Sequence, residues 1–225
     1  MFIGHYATGL GFYIKEKGSK ASLFLLALGT QFMDVLWGLF TIIGIEGGMS
    51  GGNVKYNFFD VPWTHSLLMA IVWSVLYGIA SQYYMLKKYQ VSNFGIWAGF
   101  SVFSHFILDF IVHNHDMRYT PFSDKTVPSL YLWKYPYLSF LVEFIIIVGC
   151  WYYYWMNSKD EFQTSQKPLI MLGFLVLVDV IGFLPSLSDT QASEVKPAMG
   201  IFTMIGLILI PLIMVYLHPI NKSSS

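Results

Sequence analysis

Apolar residues form six long runs along the chain, and a shorter apolar run precedes them at the amino terminus. An α-helix of about 20 apolar residues spans the roughly 30 Å hydrocarbon core of a bilayer, and each long run reaches that length. The pattern therefore predicts an all-α fold with six transmembrane helices. Their approximate bounds are 20–45, 63–86, 93–113, 137–157, 167–187 and 197–217.

The amino-terminal run, Met1 to Tyr13, is too short to cross a bilayer and is followed by Lys15-Glu16-Lys17. It has no basic stretch ahead of its apolar part, as a cleavable signal peptide would have. We predict a helix that reaches about half the depth of the membrane. Short connections join all the predicted spans, so we expect residues 1–225 to form a single transmembrane domain.

The composition strengthens the membrane assignment. Charged residues make up 12% of the chain and hydrophobic residues 55%, whereas about a quarter of the residues in a soluble domain are charged. The formal net charge is zero, which argues against nucleic acid as a partner. Cys150 is the only cysteine, which excludes an internal disulfide and a thiolate zinc cluster. Any metal site must use nitrogen and oxygen ligands.

The distribution of lysine and arginine indicates an orientation. With the amino terminus in the cytoplasm, eight of the 13 basic residues fall on the cytoplasmic side, where membrane proteins usually carry their excess. We therefore expect both termini in the cytoplasm, with loops 46–62, 114–136 and 188–196 outside. Glycines at the start of loop 46–62 predict a flexible turn, with a mobile lid as the alternative. The eight cytoplasmic residues are Lys15, Lys17, Lys20, Lys87, Lys88, Lys159, Lys167 and Lys222.

Histidine and aspartate residues recur within the predicted membrane segments. His105, Asp109 and His113 are four residues apart, slightly more than one helical turn, so their side chains follow one face of the third span. Asp34 lies on a polar face of the first span, and His65 begins the second span at a similar depth. The groups expected at a common depth are His5, Asp34, His65, His105 and Asp109, with His113 and Asp116 above them.

Burying these histidines and carboxylates without partners would cost roughly several kcal/mol. A bound divalent metal ion is the interpretation that we prefer. Nitrogen and carboxylate ligands suit zinc, manganese or iron, and zinc is our first expectation. The alternative is a buried hydrogen-bond network that holds the helices together.

Three further polar residues leave alternatives open. Glu143 and Asp179, both within predicted spans, could each fix a histidine tautomer, act as a general base or form a protonated helix contact. Arg118, the only arginine, could bind a phosphate or carboxylate of a substrate, or it could pair with Asp116 or Asp124.

Other notable residues have structural interpretations. His218 is typical of an interfacial position and His115 of a solvated loop, so we expect neither to take part in chemistry. The small residues of Gly95-Ile-Trp-Ala-Gly99 predict close packing of the third span against a neighbouring helix.

Several segments together resemble a known family. In order through residues 1–135, the chain is similar to bacterial integral-membrane proteins classed as membrane-bound metal-dependent hydrolases, which are related to the LexA-regulated inner-membrane hydrolases. The resemblance implies a metal site at the five groups named above, with His113 and Asp116 at its mouth, in a bacterial inner membrane. The segments are Phe2-Ile-Gly-His5, the Leu-Trp pair after Asp34, Pro-Trp-Thr-His65-Ser-Leu-Leu, Ser-His105-Phe-Ile-Leu-Asp109-Phe and His113-x-x-Asp116.

The chain departs from that family at two places. It has Gln-Phe-Met-Asp34 where many members carry Pro-Asp-x-Asp, and it lacks the His-Arg that often precedes Thr-His. One ligand fewer favours a single metal ion over two.

The predicted function is hydrolysis of an ester or phosphoester through metal-activated water. Asp116 or Glu143 would accept the proton, His113 would join the metal ligands, and Arg118 would hold the substrate. A site near the outer headgroup region favours a lipid-like or other membrane-interface small-molecule substrate, and membrane lipids are expected partners. The alternative is an ion- or proton-coupled transporter that uses the same cluster.

Overall fold

The computed structural model describes residues 3–15, 19–162 and 165–219, with the side chains of 159–162 left out. Within these ranges the chain forms nine α-helices and three short strands, which confirms the all-α class. Met1, Phe2 and the predicted cytoplasmic carboxyl terminus at 220–225 lie outside the described residues. The helices are α1 Ile3–Lys15, α2 Lys20–Gly29, α3 Phe32–Ile42, α4 Pro62–His65, α5 Leu67–Tyr89, α6 Phe94–Val112, α7 Pro136–Phe162, α8 Lys167–Phe183 and α9 Pro197–Leu217; the strands are β1 Gly47–Ser50, β2 Phe58–Asp60 and β3 Ser193–Glu194.

Five helices in the described ranges, α5 to α9, are long and apolar enough to cross a membrane. A sixth crossing is possible if α2 and α3 count together as one span. Large apolar side chains on these helices are exposed, such as Ile79 at 64% and Phe202 at 75%. Such exposure is compatible with an integral membrane protein whose helices face lipid.

The continuous helix predicted over 20–45 is wrong, because α2 and α3 meet at an angle of 59°. The Thr30 hydroxyl donates to Ala27 O (2.8 Å), a local bond that competes with the helical pattern. A Cβ atom on Gly29 would lie 2.2 Å from Ser101 Oγ, so α2 ends in close contact with α6. The break leaves the Thr30 carbonyl available to a side chain from another helix.

The second predicted span is also interrupted near its start. Ser66 has an extended backbone (ψ 152°), and its hydroxyl accepts a hydrogen bond from Met69 N as the N-cap of α5. His65 is therefore the last residue of the one-turn helix α4. The backbone N–H of His65 donates a hydrogen bond to Val61 O (2.9 Å). The membrane helix begins only at Leu67, and this turn sets the direction of the His65 side chain.

The short helix α1 is enclosed by longer helices. Its residues Tyr6, Ala7 and Leu10 are fully buried, and it packs against α2, α6 and α7. A Cβ atom on Gly9 would lie 2.9 Å from Ala27 Cα, so α1 and α2 nearly touch. This packing carries His5 into the interior.

Close packing also joins α5 to α6, as the small residues predicted. A Cβ atom on Gly78 would lie 2.7 Å from Gly95 O, and one on Gly99 would lie 3.1 Å from Ser74 O. The backbones of the two helices can approach this closely only because those residues are small.

Loop 46–62 forms part of a small antiparallel sheet, which the sequence pattern did not predict. Strand β1 lies between β2 and β3, with Gly48 opposite Phe59 and Met49 opposite Glu194. Gly48 has φ +145°, and a Cβ atom there would lie 2.4 Å from Phe58 O. Glycine is therefore needed for the strand pairing, which ties this loop to loop 188–196.

Candidate metal centre

His105 is fully buried at the centre of the cluster, and the helix break fixes the orientation of its ring. Its Nδ1 lies 2.7 Å from the Thr30 carbonyl. Because a carbonyl can only accept, Nδ1 carries a proton and donates it. In a neutral ring this leaves the lone pair of Nε2 facing the other polar groups.

The ring of His65 is oriented by a chain of two side chains. Its Nδ1 lies 2.7 Å from Thr64 Oγ1, which lies 2.6 Å from Glu46 Oε2. When Glu46 is ionised, the Thr64 hydroxyl donates to it and accepts from His65 Nδ1–H, so Nε2 presents its lone pair to the cluster. Glu46 Oε1 also accepts from the amides of Trp63 and Thr64. Burial raises the pKa of Glu46, although these donors act in the opposite direction.

Asp34, His65 and His105 bring three ligand atoms into a triangle. Asp34 Oδ1 lies 3.2 Å from His65 Nε2 and 3.6 Å from His105 Nε2, and the two nitrogens are 3.1 Å apart. Ligands of one tetrahedral ion, at bond lengths of about 2.0–2.1 Å, lie about 3.3 Å from one another. The donor types and their spacing fit one divalent ion with a position left open, so this buried group could hold a metal.

Asp109 and His5 lie on the other side of His105. Asp109 Oδ2 is 3.0 Å from His105 Nε2, and Asp109 Oδ1 is 3.3 Å from His5 Nε2. These three residues form a second group with ligand spacing. Because His105 Nε2 has a single lone pair, it cannot serve one ion in each group. The buried Nδ1 of His5 has no hydrogen-bond partner among the described residues.

His113 belongs to neither ligand group, although its Nε2 lies 3.6 Å from Asp109 Oδ2. Its Nδ1 is 2.9 Å from Asp116 Oδ1, while Asp116 Oδ2 accepts from Phe59 N at 2.8 Å. Burial alone would lower the pKa of His113, but the Asp109 and Asp116 carboxylates outweigh it and raise that pKa. The pair forms a histidine held by a carboxylate, with Nε2 as its second titratable atom.

A cavity of about 300 Å³ adjoins the cluster. Asp34, His65, Asp109 and His113 contribute to its lining, and Glu143 and Asp179 contribute from the wall formed by α7 and α8. The rest is mainly apolar or aromatic. The aromatic residues are Trp37, Phe59, Trp133, Phe140 and Phe183.

Arg118 pairs with carboxylates of neighbouring loops. Its Nη2 lies 2.9 Å from Asp60 Oδ1, and its Nη1 lies 3.0 Å from Asp124 Oδ1. It is not among the residues that line the cavity. The pairing with Asp124 was one of the two alternatives, and a role in substrate binding stays a prediction.

The sequence analysis did not predict the roles of two residues, Glu46 and His218. In the sequence, Glu46 is one of several acidic residues in the loops. The only sequence signal that could have linked it to His65 is the position of Thr64 directly before that histidine. His218 is buried at 5% exposure, with Tyr13 Oη 3.0 Å from Nε2 and Tyr154 Oη 2.5 Å from Nδ1. It joins three helices, whereas we expected an interfacial side chain.

Comparison of the chain with protein-family models, with curated proteins and with solved structures finds no match in any of the three.

Proposed function

We propose that this protein is a membrane-embedded, metal-dependent hydrolase that cleaves an ester or phosphoester of a lipid-like substrate. The observation that carries the proposal is the triangle of Asp34 Oδ1, His65 Nε2 and His105 Nε2, with edges of 3.1 to 3.6 Å. Three nitrogen and oxygen ligands with an open position are typical of catalytic zinc sites. The resemblance of His5, Asp34, His65, His105 and Asp109, with their flanking residues, to the motifs of membrane-bound metal-dependent hydrolases is the basis on which we also propose that family and a bacterial inner-membrane location.

Asp34, His65 and His105 would hold the ion, with Asp109 beside them and His5 behind Asp109. A bound divalent ion, with zinc as our first choice, supplies Lewis-acid activation of water and of the scissile bond. The hydrogen bonds that His105 Nδ1–H and His65 Nδ1–H donate to the Thr30 carbonyl and the Thr64 hydroxyl keep both histidines in the tautomer that ligation requires.

We assign the proton-accepting role to His113. It lines the cavity, and Asp116 holds its Nδ1, so Nε2 is the atom that would take up a proton. Asp116 already accepts two hydrogen bonds through its two oxygens. We therefore propose that Asp116 positions His113 and does not itself act as the base.

The cavity lining supports the proposed substrate class. Aromatic and apolar side chains cover most of a cavity that ends in carboxylates and imidazoles, which suits a molecule with an apolar chain and a polar head. The exposed apolar helices would place this cavity within reach of membrane lipids.

The first experiment measures metal and turnover in detergent-purified protein. Elemental analysis should find zinc in the wild type and in His115→Ala, the matched loop histidine, and little in His65→Ala or His105→Ala. Product release from a panel of phospholipids and lipid-linked phosphates should stop with EDTA and return with added zinc. If folded His65→Ala and His105→Ala proteins both retain wild-type zinc, the cluster is a hydrogen-bond network and the proposal is wrong.

One observation favours a transporter as the second candidate. The break between α2 and α3 lies beside the cluster and exposes the Thr30 carbonyl to His105, and interrupted helices with free backbone groups form ion sites in many transporters. A transporter would show gradient-driven ion or proton flux in proteoliposomes, removed by Asp34→Asn, and no turnover of the lipid panel. A hydrolase would turn over in micelles without any gradient.

A further inference from the structure

The cavity wall formed by α7 and α8 carries two carboxyl groups that belong to neither ligand group. Glu143 and Asp179 both line the cavity and lie close enough to interact electrostatically. Two adjacent carboxyl groups in one pocket attract positive charge. This wall therefore differs in chemistry from the apolar lining around it.

Asp179 has a buried atom that lacks a partner. Its residue is 5% exposed, and its Oδ2 has no hydrogen-bond partner among the described residues. Buried polar atoms in proteins are nearly always hydrogen-bonded, and an unpaired buried carboxylate is costly. Val178, Phe140 and Phe183, which line the same cavity, have no side-chain donor. Because Asp179 also lines the cavity, a donor on a bound ligand would compensate this carboxylate.

The surroundings favour an organic cation over a second metal ion. Divalent ions usually take four or more nitrogen or oxygen ligands, and no third metal-ligating side chain joins these two carboxyls within the described part of the chain. An ammonium group needs only one or two carboxylates. Its attached carbon chain would contact Phe140 and Phe183, whose rings stack at 4.6 Å and whose faces attract cations.

We propose that this wall is a subsite for a protonated amine on an amphipathic molecule. The carboxyl group of Asp179, which lines the cavity, accepts a hydrogen bond from the ammonium group, and Glu143 adds negative charge beside it. The inference rests on the proposed function and deepens it, because the amine subsite and the His/Asp cluster share one cavity of about 300 Å³. The substrate of the hydrolase is then an amphiphile that carries an amine.

The test measures binding of radiolabelled hexylamine to detergent-purified protein kept free of metal with EDTA. The wild type and Asp189→Asn, an exposed acid elsewhere, should bind it saturably. In Asp179→Asn the affinity should fall about tenfold or more, as expected for loss of a charge-assisted hydrogen bond. Unlabelled hexylamine should compete, and the neutral analogue hexanol should not.

A second pair of variants keeps the test valid if Asp179→Asn fails to fold. Gly182 lines the cavity one turn after Asp179, and a Cβ atom there would meet nothing within 4 Å. Gly182→Leu should therefore fill the subsite without a clash and weaken hexylamine binding. Gly173→Leu is the control, because Gly173 lies on the same helix with equal space but does not line the cavity.

Two results would overturn the proposal. The first is wild-type affinity for hexylamine in folded Asp179→Asn or Gly182→Leu. The second is competition by hexanol as effective as that by unlabelled hexylamine, which would show that the wall does not recognise the positive charge. Because binding is measured without metal or turnover, failure of the hydrolase proposal would leave these readings intact, and failure here would leave the zinc analysis intact.

Discussion

The tautomers of His65 and His105 are set by atoms outside the ligand triangle. A backbone carbonyl fixes His105, and the Glu46–Thr64 pair fixes His65. Partners of this kind raise the basicity of a ligating imidazole and hold its ring in place. The cluster therefore depends on residues that would never appear in a list of ligands.

Thr64→Val tests this dependence, because valine keeps the shape of threonine and removes the hydroxyl. Without that acceptor, His65 Nδ1–H loses its buried partner and the ring can take the other tautomer. We expect zinc affinity to fall by about 10- to 100-fold, measured by competition with a chelator in detergent. Thr190→Val, in an exposed loop, is the control and should bind zinc as the wild type does. Unchanged zinc affinity in Thr64→Val would show that the Glu46–Thr64 pair does not help His65 to bind the metal.

Asp116→Asn separates positioning of a base from metal binding. The amide keeps the size of the carboxylate but no longer favours a proton on His113 Nδ1. We expect turnover to fall by about 10²-fold or more while zinc content stays at the wild-type level. Elemental analysis and product release on the same preparation give both values. Loss of zinc together with activity would instead place His113 among the metal ligands.

The short helix α1 is attached at both ends, and this explains how so short a helix can hold a side chain in the interior. Near its amino end, His5 contacts Asp109 and packs against His105, with ring centres 4.1 Å apart and the ring planes tilted by 30°. Near its carboxyl end, Tyr13 bonds to His218 of α9's cap, which also contacts Tyr154 of α7. The contact of Tyr13 with His218 therefore holds α1 in place along its axis and so fixes the position of His5 beside Asp109.

His218 makes this attachment sensitive to pH. Burial, together with the charge of Lys20, lowers the pKa of His218 from 6.5 to about 4. The folded state therefore binds fewer protons than the unfolded state between these values. Stability from this residue is fully present above pH 6.5 and is lost as the pH falls toward 4, by at most about 3 kcal/mol.

Thermal unfolding in detergent at pH 7.5 and pH 4.5 checks this prediction. The drop in unfolding midpoint between the two pH values should be smaller for His218→Gln than for the wild type. His115→Gln, at an exposed loop histidine, should show the same drop as the wild type. Equal drops for all three proteins would contradict it.

Across the whole molecule, the parts that the sequence could predict are those encoded by local spacing. Apolar run lengths predicted the long helices, and the four-residue interval from His105 to Asp109 placed two cluster residues on one face of α6. The helix break at Thr30 and the link from Glu46 to Thr64 depend on contacts between distant segments, so periodicity could not reveal them. The same holds for the sheet, in which Gly48 and Glu194 belong to strands joined only by tertiary pairing.

Orientation in the membrane is the prediction that belongs to the molecule as a whole, and it rests on the excess of basic residues on one side. Eight lysines on the proposed cytoplasmic side face five basic residues opposite, namely Lys55, Arg118, Lys125, Lys134 and Lys196. In a Cys150→Ser background, single cysteines replace two exposed serines, Ser193 in β3 and Ser92 between α5 and α6. A membrane-impermeant maleimide added to intact cells should label Ser193→Cys and should label Ser92→Cys only after the cells are lysed. The reverse pattern would place the three-stranded sheet in the cytoplasm and overturn the proposed orientation.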